Sequence, residues 1–240
     1  MLILVLDIME WSIMEPVKRQ KEILNSVIEE YINLAQPVSS KLLEKKYDFG
    51  ICPATIRIEM QKLTDNGYLC QPHTSAGRTP TDKGYRFFVD NLLEKELNSF
   101  EMGDWFNDEI EDNIKFIQVL TKNLAQISGA LVLSYLEKEK VFWREGWEEI
   151  LKEPEFGEKD FAVNFAEFLE NFENDIENFK INSGIKIYIG KENPLKRAKD
   201  FSLISSRCHL LNEDGIICLL GPKRMAYDKN ISLIKLLENF

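Results

Sequence analysis

Apolar positions at three- and four-residue spacing open the readable part of the chain. Ile23, Val27, Ile28, Tyr31 and Leu34 predict a helix over 17–34. Pro37 breaks that rhythm, and Ser39 is placed to cap a short second helix over 40–46. After a turn from Asp48 to Cys52, Pro53 suits a first helical position, because its φ is already helical and its missing N–H is not needed there. Ile56, Met60 and Leu63 then form one stripe, which leaves Thr55, Arg57, Ile58, Gln61 and Lys62 elsewhere on that helix. Asn66 and Gly67 supply its stop. Tyr68 to Cys70 suits a short strand, His73 to Arg78 a tight polar loop, and Thr79 with Pro80 the return. Two short helices around a turn, followed by a small hairpin, read as a winged helix-turn-helix.

The helical rhythm resumes at Thr81 and Asp82, with Tyr85, Phe88, Val89, Leu92, Leu93 and Leu97 on one side. Residues 98–104 lose it, and a domain boundary is expected there. A long helix is expected over 105–127 on Ile110, Ile114, Ile117, Leu120, Leu124 and Ile127; its stripe serves internal packing or a dimer seam. Beyond it, strands are expected over 130–135, 185–189, 202–207 and 216–220. A phenylalanine-rich helix is expected over 161–179 and a closing helix over 231–240. The fold class is therefore α+β, with a winged domain over 15–98, a linker helix over 99–129 and an α+β regulatory domain over 130–240. Residues 1–14 form an apolar extension interrupted by Asp7 and Glu10, too short for a membrane span of about 20 residues. Met9 and Met14 offer alternative starts just ahead of the recognisable domain.

Charge sharpens this picture. The chain of 240 residues carries a net charge of −10, which argues against non-specific coating of nucleic acid. Residues 15–90 nevertheless hold 11 Lys plus Arg against 10 Asp plus Glu, so a DNA-facing side belongs in the first third. The four cysteines make no CxxC pair, and with two histidines no metal set is visible. Reduced thiols and a cytoplasmic location are the default, and no cofactor is expected.

Enzymatic motifs are missing: there is no GxGxxG, Walker loop or nucleophile elbow. Cys208 and His209 are neighbours whose side chains point to opposite faces of a strand, which is wrong for a nucleophile and its base. An enzyme is not expected. Gly221, Lys223 and Arg224 form a basic turn that either holds an anion or packs its stems structurally, the second being the simpler reading.

The words ATIR, EM, PHTSAGRTPT and DKGYR resemble the winged helix-turn-helix of the HrcA family of heat-inducible transcription repressors. PVSSKLL, LAQISGAL, EILKEPEF, KENP, FSLISS and GPKRMAYDK extend the resemblance in patches almost to the end. It implies a GAF-like second domain and a homodimer that represses chaperone genes at an inverted-repeat, CIRCE-type operator. It also implies dependence on the GroEL chaperonin, for which exposed rings along Phe161 to Phe179 would be the local motive. Thr55, Arg57 and Gln61 are the candidates for base edges. Lys41, Lys62, His73, Thr74, Ser75, Gly77 and Arg78 are candidates for the backbone or minor groove. The resemblance carries two departures: the family's inserted dimerising domain is missing around 132–149, and Ile58 and Cys52 stand where the family has a polar Asn and a Ser. A dimer then needs other surfaces, such as the helices over 105–127 or 161–179. The rival reading is a regulator that senses a small molecule through its GAF-like domain.

Overall fold

The computed structural model describes residues 16–94, 112–176, 184–195, 197–210 and 213–237. The apolar extension, Trp105, Ile110, Leu97 and Phe179 lie outside the described residues.

Helices α1 (Lys18–Leu34), α2 (Ser40–Lys46) and α3 (Pro53–Asp65) are followed by the two-residue strands β1 (Leu69–Cys70) and β2 (Thr79–Pro80) and by α4 (Asp82–Glu94). The sequence rhythm carries over directly. Ile23, Val27, Ile28, Ile56, Leu63 and Val89 are fully buried, because each stripe has another stripe to pack on. Ser39 Oγ accepts from the Leu42 N–H at 3.2 Å, as a Ser N-cap should. Helix α1 ends on Ala35 in the left-handed region (φ 52), whose N–H donates to Tyr31 O.

The second half comprises α5 (Asn113–Ser128), β3 (Leu131–Leu136), β4 (Val141–Glu145), α6 (Trp147–Ile150), α7 (Lys159–Asp175), β5 (Lys186–Ile189), β6 (Phe201–Leu210), β7 (Glu213–Pro222) and α8 (Tyr227–Leu237). The five strands form one antiparallel sheet in the order β4-β3-β7-β6-β5. Numbered within the sheet this is 2-1-5-4-3, the α+β arrangement expected of a GAF-like domain. Alternation along the strands divides the core. Val132, Ile204, Ile217 and Leu219 face α5 and α8, while Leu131, Leu133, Leu203 and Leu220 face α7. The first of these two clusters runs without a break into the winged domain.

Several expectations need correction. Helix α5 begins at Asn113: Asp112 is non-helical, and its carboxylate accepts from the Lys115 N–H at 2.7 Å, while the expected stretch 105–111 lies outside the described residues. From Ile117 on its stripe serves internal packing, since Ile117, Leu120 and Leu124 are fully buried under the sheet, while Ile114 is 40% exposed. Helix α7 ends at Asp175, and Phe165, Phe168 and Phe172 are buried rather than exposed. Phe165 and Phe168 form a ring cluster with Phe156, Phe161 and Phe201 at centroid distances such as 4.9 and 5.1 Å, so the described rings of this helix supply no exposed-ring motive for a chaperonin. Strand β4 and helix α6 were not expected, because VFWRE alternates too weakly to announce an edge strand. The hairpin strands β6 and β7 run to ten residues each, longer than their apolar cores, because backbone pairing continues through Arg207 to Leu210. Helix α8 starts at Tyr227, four residues before the expected Ile231.

Candidate nucleic-acid interface

Helix α3 puts its stripe inward and presents Arg57, Ile58, Gln61 and Lys62 to solvent. Ile58 is 55% exposed, so an apolar side chain occupies the middle of the free face. Cys52 at the N-cap makes no side-chain capping bond. Its Sγ instead lies 3.4 Å from Thr55 Oγ1, and that contact, with backbone N–H groups at the helix start, lowers the thiol's pKa. Thr55 is thereby half-buried and turned toward the cap.

The wing is pinned to the rest by backbone bonds. Val38 N donates to Arg78 O at 2.9 Å, and Arg78 N donates to Val38 O at 2.8 Å, so the return strand of the wing pairs with the segment before α2. Gly77 makes this approach possible: a Cβ there would sit 2.3 Å from Val38 O. Gly77 thus has a packing role that the loop reading did not foresee. Gln71 is a second residue that reading missed; its amide donates to Thr74 O at 2.9 Å and Ala76 O at 3.1 Å and shapes the tip. A polar amide just after a strand was the available signal, but its partners are set only by the turn.

The pinning creates a cleft of about 360 Å³ between α2, α3 and the wing. Of the ten candidate residues, Lys41, Arg57, Thr74, Ser75, Gly77 and Arg78 line it. The lining includes three basic side chains and no carboxylate, a local field opposite in sign to the chain as a whole. Arg78 crosses from the wing to α3, donating from Nε to Thr64 Oγ1 at 3.0 Å and from Nη2 to Gln61 Oε1 at 2.7 Å. Gln61 also donates to Asp65 Oδ1 at 2.8 Å, and so stands beside the cleft with its amide held at both ends.

The remaining candidates lie apart. His73 is exposed at the tip of the wing. Lys62 leans to the opposite side of α3, where it pairs with Glu59 at 2.9 Å and borders a second cleft with Val17, Lys18 and Phe49. Glu59 also accepts from Gln20 Nε2 at 2.8 Å; these contacts hold its carboxyl below the usual glutamate range and tie α3 to α1.

The winged domain is clasped to the sheet domain by charge. Lys223 pairs with Asp82 at 2.8 Å; Arg86 pairs with Glu192 and donates to Ile187 O at 2.6 Å. Arg224, 9% exposed, holds Glu153 and Glu155 and donates to Ile32 O at 3.1 Å. The basic turn is therefore structural for Lys223 and Arg224. Cys208 is buried and His209 exposed on opposite faces of β6, as strand geometry requires. Among the described residues no helix is long and apolar enough to cross a membrane, and no His, Cys, Asp and Glu group has metal-site geometry.

A sequence profile described as "HrcA protein C terminal domain" matches residues 83–231. The heat-inducible transcription repressor HrcA of Natranaerobius thermophilus is 30% identical over 324 aligned positions, covering 92% of this chain and 94% of that protein. The HrcA repressor of Thermoanaerobacter pseudethanolicus is 54% identical over 81 residues, which are 34% of this chain and 24% of that protein. The 324 aligned positions exceed the 240 residues here by 84, so at least 84 positions of the Natranaerobius protein stand opposite no residue. A solved structure described as that of a hypothetical protein at 2.2 Å resolution shares the fold, with a TM-score of 0.78 at 21% identity over 94% of this chain and 97% of that one.

Proposed function

Because this chain belongs to the HrcA family of heat-inducible transcription repressors, we propose that it is a heat-shock transcriptional repressor whose α2–α3–wing cleft receives duplex DNA. The observation that carries the reading is the basic, carboxylate-free lining of that cleft in an otherwise acidic chain. Lys41, Ser75, Thr74 and Arg78 contact the phosphate backbone, with His73 beside them at the wing tip. Arg57 and Gln61 reach base edges; Thr55, half-buried, supports the helix start. Lys62 serves a flanking phosphate, and Gly77 lets the wing lie close enough for its neighbours to engage.

In this reading two copies bind an inverted repeat, with recognition helices in successive major grooves about 34 to 36 Å apart. The proposed division assigns 15–98 to the winged domain and 130–240 to the GAF-like domain, and α5 between them contributes Ile117, Leu120 and Leu124 to the shared core. Modulation by GroEL belongs to the same proposal and rests on family membership alone. No catalytic step enters it, since the residues in the cleft bind and orient without a nucleophile and base pair.

The test is binding to an inverted-repeat operator against scrambled DNA of equal length, across a salt series, with stoichiometry read in the same experiment. Sequence-specific binding of two protomers is the expected result. Weak, salt-sensitive binding without sequence preference would overturn it.

A further inference from the structure

A cleft of about 390 Å³ opens where the winged domain meets the sheet domain. Its walls come from the end of α1, the turn from α5 into β3, the loop at Glu153 and Pro154, and the start of α8. The volume is that of a small-molecule site, roughly 300 to 1,000 Å³.

Two neighbouring residues on α8 give it chemical character. Asn230 is 1% exposed, and neither Oδ1 nor Nδ2 has a hydrogen-bond partner. Burying an amide in that state is costly, and its position is explained if a bound molecule supplies both an acceptor and a donor. Lys229, also on the wall, makes no ion pair or hydrogen bond among the described residues. The other cation, Arg224, is already held by Glu153, Glu155 and Ile32 O. Among the described residues Lys229 is thus the charge on the lining that has no counter-charge, beside apolar surface from Leu34, Pro154 and Met225.

We infer that this interdomain cleft binds a small organic anion that carries an amide-like donor–acceptor edge, with its charge on Lys229 and its edge on Asn230. An adenine mononucleotide is the simplest probe of that chemistry, because an Asn side chain matches the adenine N6 and N7 edge and a phosphate matches a lysine. Since α1 belongs to one domain and α8 to the other, occupancy bridges them and stabilises their docked arrangement by mass action. Binding stands independently of the repressor reading; only a consequence for operator affinity rests on it.

The full chain is titrated without DNA against AMP, adenosine, ribose 5-phosphate and inorganic phosphate, by equilibrium dialysis and thermal shift. Saturable AMP binding with a raised melting temperature is expected, weaker for adenosine and for ribose 5-phosphate. Lys229→Gln should weaken AMP binding about tenfold or more, as loss of a charge-assisted bond does, and leave adenosine unchanged. Asn230→Leu should abolish the advantage of AMP over ribose 5-phosphate while the unliganded protein melts no lower, because the unpartnered amide is gone. Absence of saturable AMP binding, or AMP binding indifferent to both substitutions, overturns the inference. Inorganic phosphate binding as tightly as AMP overturns the edge on Asn230. A change in operator affinity on adding AMP would be measured separately, so that failure of DNA binding does not decide the ligand question.

Discussion

Arg78 on the wing and Gln61 on α3 form one unit: the guanidinium donates to the Gln61 side-chain oxygen at 2.7 Å, across a gap that the chain closes only by folding the wing back. A phosphate-binding candidate and a base-reading candidate therefore share a hydrogen bond. Arg78→Ala should weaken operator binding and lower the slope of log affinity against log salt by about one. It should also disturb base preference, because Gln61 loses a restraint. Filter binding across a salt series reads the first effect, and an unchanged slope removes Arg78 from the interface.

Gln61→Ala should relax discrimination at one base pair by about 1 to 3 kcal/mol. Combined with Arg78→Ala, the losses should fall short of additivity, since contacting residues couple. A double-mutant cycle over operator variants measures this; uniform weakening on every sequence would reassign Gln61 to a supporting role.

Gly77→Ala should detach the wing. The added methyl would meet the Val38 carbonyl at 2.3 Å, so the backbone pair between Val38 and Arg78 must open. Overpacking of this kind costs about 1 to 3 kcal/mol. A lower denaturation midpoint with faster exchange of the Arg78 amide is expected, and native exchange at Arg78 would contradict it.

The clasp between domains should be sensitive to salt. Asp82–Lys223 and Arg86–Glu192 are part-exposed pairs, so each contributes at most about 1 kcal/mol after screening. Arg86→Met with Asp82→Asn should ease separation of the domains, seen as faster amide exchange in α4 and β5, the elements that carry or border these pairs, with both domains still folded. Exchange at the wild-type rate would show that the buried contacts, among them the Tyr85–Tyr227 ring pair at 5.8 Å between centroids and the Arg224 bond to Ile32 O, hold the domains without the two exposed pairs.

Glu59 gives a pH dependence of definite sign. Its carboxyl is held below the ordinary 4.5 by the Gln20 bond and then by Lys62. A lowered folded value contributes stability that is present above the unfolded value and is lost as pH falls through the folded one. Denaturation midpoints of the wild type and Glu59→Gln should therefore differ above about pH 4.5 and converge below it. A constant gap across that range would place the role of Glu59 in packing.

How much of this was legible beforehand can be seen residue by residue. Helices α1 to α4 were readable because their stripes, the Ser39 cap, Pro53 and Gly67 are local signals that agree with one another. Lys41, Arg57 and Arg78 were legible by type and place and line one cleft, whereas Lys62, equally legible by type, does not join them. Strand β4 was not, since an edge strand needs its neighbour β3 to define a face. Nor was the fate of the phenylalanines: the spacing over 161–172 showed a stripe, but whether it stayed exposed or packed on Phe201 depended on a strand some thirty residues later.

What the sequence by itself determined is the winged helix-turn-helix with its local punctuation, the family, and the near-balance of charge over the first third against the acidic remainder. Short-range spacing and contiguous motifs carry that information within a few turns of backbone. Only the tertiary structure decided that Lys62 leans away from the cleft, that Arg78 holds Gln61, that Gly77 is a packing glycine, and that Lys229 and Asn230 line a junction with the end of α1. Those facts depend on pairs such as Val38 with Arg78, or Ile32 with Arg224, which are distant along the chain. Their geometry exists only once burial of both cores has brought the elements together.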